Sequence, residues 1–171
     1  MIRTVIATGL ALALASCAGA PSPEPAAAPA HPEAKSFAVT PDAMADVDAA
    51  LARASASGKR VLLVMGANWC HDSRALAGWL ETPRFAALVA ERYELVFVNV
   101  GLPQTGDGHN LGIAHRFGLE DIPGTPALLV LTADGKPVNI DTAAGWRNAA
   151  SRSEDAIYSE LSALAEASVS P

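Results

Sequence analysis

One cysteine stands where an apolar run gives way to a helical pattern. Val61-Leu-Leu-Val-Met65 is followed by Gly66-Ala-Asn-Trp-Cys-His-Asp-Ser-Arg74, and helical spacing runs from Asp72 to Leu80. Cys70 therefore meets the unpaired N–H groups and the positive end of a helix, which favour thiolate over thiol. The thiolate is the nucleophile in disulfide exchange. A lone cysteine also has a plainer reading, as a small buried hydrophobe. The spacing is Trp69-Cys70-x-x-Ser73, with a hydroxyl where a dithiol redox site needs its second sulfur. Serine does not ionise near neutral pH, so no 70–73 disulfide forms. Monothiol chemistry is what remains: Cys70 attacks a substrate disulfide and the substrate's own thiol later expels it, or Cys70 exchanges with a small thiol. Ser73 would then donate a hydrogen bond to the thiolate. A protonated His71 would favour the thiolate, and Asp72 opposes it. A cysteine–histidine hydrolase is disfavoured, because adjacent helical side chains diverge by about 100°.

Composition narrows the setting. The 171 residues carry a net charge of −6 and no basic cluster, which argues against a nucleic-acid surface. Half are hydrophobic, enough for one domain with a core. Arg3 followed by the apolar stretch Val5–Ala15 reads as an export signal, too short for a comfortable membrane span. It ends in Leu14-Ala15-Ser16-Cys17, which resembles a bacterial lipobox; cleavage after Ala18-Gly19-Ala20 is the alternative. The lipobox reading gives a signal peptide at 1–16 and a lipidated Cys17. It gives an Ala/Pro-rich tether at 17–36, with His31 solvated in it, and a folded domain at 37–171. It places the protein in the periplasm, lipid-anchored to the cell membrane or outer membrane. Only two cysteines occur, Cys17 and Cys70, so acylation or removal of Cys17 leaves Cys70 as the one thiol.

The elements that must hold Cys70 follow from pattern and punctuation. Thr40-Pro41-Asp42 predicts a helix start, with Thr40 as the cap, and Gly58 its end. Strands are expected at 61–65, 94–100 and 127–132. Pro83 should break or kink the helix after Cys70. Residues 101–108 read as a loop and 110–117 as a short helix. Ala133-Asp-Gly-Lys136 predicts a hairpin turn returning through a strand at 137–140. A last amphipathic helix spans 153–167, with Gly145-Trp146-Arg147 packing it onto the sheet. The order argues α/β with a central mixed sheet flanked by helices.

Trp69-Cys70-His71-Asp72-Ser73 after the first core strand, and Gly124-Thr125-Pro126 before a later one, together resemble the thioredoxin-like superfamily over residues 37–167. The resemblance implies that Pro126 is cis and lies against the active-site sulfur. It implies that Thr125 offers its backbone to an extended substrate and that Trp69 flanks the site. Ser73 departs from the family's resolving cysteine. Val64 departs from the buried aspartate that many classical members carry six residues before the first cysteine.

Two functions stay open. The first is a monothiol thiol–disulfide isomerase or reductase, with Cys70 and Ser73 catalytic and Trp69, His71, Thr125 and Pro126 binding substrate. Its partners would be cysteine-containing exported proteins or small thiols, with no cofactor. The second is a redox-inactive binding or chaperone-like module of the envelope using the same groove. No metal site is expected, because His71, His109 and His115 lack ligand spacing and one cysteine makes no structural zinc site.

Overall fold

The computed structural model describes residues 31–169; the expected signal peptide, Cys17 and most of the tether lie outside the described residues. Three strands form the main sheet in the order β2-β1-β5. β1 (Arg60–Gly66) is central, parallel to β2 (Tyr93–Asn99) and antiparallel to β5 (Ala127–Leu131). Buried on both faces, β1 reads as a continuous apolar run. Val61, Leu63 and Met65 face one layer, where they meet Val47, Ala50 and Ala54 of α1 (Ala43–Ser57) and Ile113 of α4 (Leu111–Arg116). Leu62 and Val64 face the other. There they meet Leu76 of α2 (His71–Glu81), Phe85 of α3 (Pro83–Arg92) and Ile157 of α5 (Glu154–Glu166). The expected α/β mixed sheet between helical layers is what forms.

The helix ends refine the sequence reading. Asp42, not Thr40, caps α1: its carboxylate accepts from Ala45 N at 2.9 Å, and α1 begins one residue later. Gly58 closes α1 in the left-handed region at φ 75°, which costs glycine little. Pro83 starts α3 at its first position, where a missing N–H is no loss.

Two segments differ from expectation. Residues 137–140 do not form a full return strand. The turn closes through Gly135 N to Thr132 O and Thr132 N to Lys136 O, and only an isolated Leu131–Pro137 bridge follows. The side chain of Asn139 then takes the place of a strand: Oδ1 accepts from Val130 N at 2.8 Å and Nδ2 donates to Leu128 O at 3.0 Å. The chain continues as a 3-10 run, Ile140–Ser151, which places Trp146 in the second core layer. The expected loop at 101–108 holds a small hairpin, β3 (Gly101–Leu102) against β4 (Asp107–Gly108).

The described part of the proposed tether lies on the domain. Ala34 N donates to Arg74 O at 3.0 Å. A Cβ at Gly78 would sit 2.4 Å from the Pro32 carbonyl carbon and 2.6 Å from Glu33 N. A glycine inside a helix usually costs stability; here it admits a second backbone against α2. Among the described residues no helix is long and apolar enough to cross a membrane.

Candidate active site

The loop that presents Cys70 is pinned from three sides. Asn68 forms a two-way pair with the Phe37 backbone, accepting from its N–H at 3.1 Å and donating to its carbonyl at 3.0 Å. Arg74, one turn into α2, donates from Nη1 to the carbonyls of Asn68 and Trp69 at 3.1 and 3.0 Å. Its Nε donates to Glu33 Oε2 at 3.0 Å. That hydrogen bond, opposed by some desolvation and helped by the nearby guanidinium and imidazole charges, holds the Glu33 carboxyl below the usual carboxylate range. Asp72 Oδ1 accepts from Ala150 N at 2.8 Å and ties the first turn of α2 to the 3-10 run. The expectation for Asp72 was only a charge at the helix start.

Cys70 occupies the N-cap position of α2 and makes no side-chain cap. It is 8% exposed, and Sγ donates to Thr125 O at 3.1 Å. A sulfur in that role carries its hydrogen, so this contact belongs to the thiol. Ser73, fully buried, accepts from Ala67 N at 3.4 Å. Among the described residues no hydrogen bond joins it to Cys70; its oxygen turns toward the strand–helix loop, close behind Gly66. Cys70 is the one free cysteine among the described residues.

The second half of the site comes from the segment before β5. The Thr125–Pro126 bond is cis. Both residues are buried, and Thr125 Oγ1 has no hydrogen-bond partner among the described residues. Trp69, next to Cys70 in the chain, is 49% exposed and steered by a bond from Nε1 to Gly101 O at 3.0 Å. The β3–β4 hairpin therefore positions the aromatic rim of the site. Asn99 holds that hairpin, accepting from Gly101 N at 3.0 Å. The two halves of the site meet where Cys70 Sγ reaches Thr125 O, with Trp69 and Pro126 their neighbours in the chain.

His71 points elsewhere, across α2 toward the tether. Its Nδ1 lies 3.0 Å from Glu33 Oε1 and its Nε2 lies 3.1 Å from His31 Nε2. His31, expected to be solvated, is half-buried against it. The sequence reading also missed Asn68, Arg74 and Asn139. Asn68 and Arg74 flank the Trp-Cys pair closely enough to have been suspected; His31 and Asn139 left no local signal.

Comparison with known proteins agrees with this geometry. The thioredoxin-like family model matches residues 42–133, from the α1 cap through the start of the turn after β5. Among solved structures the chain is similar to a disulphide isomerase from Xylella fastidiosa Temecula1. The two share 34% identity with a TM-score of 0.69, over 76% of this chain and 96% of that one. No match is found among the curated proteins. With the family's span covering the strand–cysteine–helix unit and the cis-proline strand alike, this chain belongs to the thioredoxin-like family.

Proposed function

We propose that this protein is a thioredoxin-like binding module that holds an extended polypeptide segment without covalent chemistry. The observation that carries this reading is the Cys70 hydrogen bond. The thiol is buried and gives its hydrogen to Thr125 O, so the sulfur is engaged inside the protein. With no resolving thiol among the described residues, a mixed disulfide at Cys70 has no internal route of release. The exposed Trp69 face next to Cys70 supplies apolar contact area for a bound chain.

The test uses a reduced, carboxymethylated unfolded protein, which has neither free thiols nor disulfides. Wild-type and Cys70→Ser chains should bind it within about twofold of each other. Trp69→Ala should weaken binding roughly tenfold, the loss of an aromatic anchor. Binding lost in Cys70→Ser would overturn the reading.

Monothiol exchange is the second reading. It is favoured by the similarity to a protein described as a disulphide isomerase and by the helix N-terminal place of Cys70. In that step the Cys70 thiolate attacks one sulfur of a substrate disulfide, a new S–S bond forms, and the substrate's other sulfur leaves as thiolate. That thiolate later attacks the mixed disulfide and expels Cys70.

The same proposal places the domain at the cell envelope through a lipid on Cys17, supported by Leu14-Ala-Ser-Cys17 after an apolar stretch. Cys17→Ser should move the protein from the membrane to the soluble fraction on cell fractionation. Equal membrane association of both forms would contradict it.

A further inference from the structure

His31, Glu33 and His71 meet on the outer face of α2, one residue from Cys70. The described residues hold no other group of three or more metal-ligating side chains close enough to share one ion. Three hydrogen-bond relations fix their chemistry. Glu33 Oε1 lies 3.0 Å from His71 Nδ1, so that nitrogen carries the hydrogen and donates it. Pro32 O lies 3.3 Å from His31 Nδ1, and a carbonyl can only accept. A hydrogen on each Nδ1 leaves the Nε2 atoms of both rings as the available ligand atoms, and these lie 3.1 Å apart, close enough to share one ion.

The spacing suits a metal. Two zinc–nitrogen bonds of about 2.0–2.1 Å opening at a tetrahedral angle put their nitrogens about 3.3 Å apart. The carboxylate on the far nitrogen of His71 is the usual partner of a ligating histidine, fixing its tautomer and ring orientation. That carboxylate is itself held by Arg74 Nε at 3.0 Å. The backbone carrying His31 and Glu33 is set in place by Ala34 N to Arg74 O and by the close approach at Gly78.

We propose that His31 Nε2 and His71 Nε2 form a binding site for a borderline divalent transition ion, Zn²⁺ or the more tightly held Cu²⁺, with Glu33 orienting His71. Imidazole suits both ions, and the affinity order for nitrogen sites favours copper. The ion ties the end of the tether to the first turn of α2. Two protein nitrogens leave its further positions to water.

The experiment titrates zinc chloride into the full chain by calorimetry. One site per chain is expected. His31→Ala and His71→Ala should each abolish it, and Glu33→Gln should weaken it roughly 10–100-fold, the usual cost of losing such a partner. Gly78→Ala touches no ligand but pushes Pro32 and Glu33 off the helix, and it should weaken binding as well. His109→Ala should bind as the wild type does. All these side chains other than Gly78 lie at the surface or half-buried, so the apo proteins should melt alike. Wild-type affinity in His31→Ala, His71→Ala or Gly78→Ala would overturn the assignment. So would the absence of a single-site isotherm in the wild type.

Discussion

Asn139→Leu should destabilise the protein by roughly 2–5 kcal/mol. The leucine fills a similar volume but pairs with nothing. Val130 N and Leu128 O, both on fully buried β5, would lose the Asn139 amide that bonds them. An unsatisfied buried donor or acceptor costs about 1–3 kcal/mol, and this substitution makes two. Asn139→Asp should cost at least as much, since the carboxylate still accepts from Val130 N but sets a second acceptor and a buried charge against Leu128 O. The urea midpoint should fall with little change in slope, because native burial is otherwise retained. A leucine variant within about 0.5 kcal/mol of wild type would mean that water or a rearranged chain serves this edge. The effect should reach the site, because β5 begins directly after Pro126 and fixes where Thr125 meets the thiol.

Trp146→Ala should cost about 3–5 kcal/mol, in the range for deleting a large buried aromatic. Trp146 is fully buried among residues of α2, β5 and α5, with the Arg152 guanidinium 4.4 Å over its ring. Among the described residues the indole N–H has no partner. Trp146→Phe should therefore recover most of the loss, since it keeps the ring and removes the unpaired donor. If Phe is no better than Ala, the shape of the indole rather than the burial of a ring is what the core needs. The 3-10 run around Trp146 carries Ala150, whose N–H holds Asp72. Unpacking it should loosen the first turn of α2, and peptide binding in the alanine variant should fall with stability.

The central sheet was legible because β1 and β5 are buried on both faces and read as unbroken apolar runs. The Trp-Cys pair and Thr125-Pro126 were legible through the family resemblance that their adjacent residues carry. The hairpin after β5 was half legible. Asp134-Gly135 does turn the chain, but Asn139 satisfies the edge with an amide instead of a backbone, and no periodicity announces that. The cap of α1 was misplaced because Thr40 and Asp42 both offer an oxygen beside Pro41, and only geometry chooses. His31 was invisible as a partner of His71: forty residues of sequence separate them, and the glycine that admits the tether lies in the middle of a helix. Ser73 was read for its position beside the sulfur, whereas its burial turns the oxygen toward Ala67 N.

The quiet thiol is the point on which the functional account stands, and the alkylation rate of Cys70 measures it most directly. The full chain is treated with iodoacetamide at fixed pH, native and unfolded in denaturant, and the Cys70 peptide is followed by mass so that Cys17 does not interfere. A buried thiol bonded to a carbonyl should react at least tenfold more slowly, on the order expected for a shielded structural cysteine, than in the unfolded chain. Faster alkylation in the native protein would mean an accessible, stabilised thiolate. That result would contradict the binding-module account and make monothiol exchange the function to pursue.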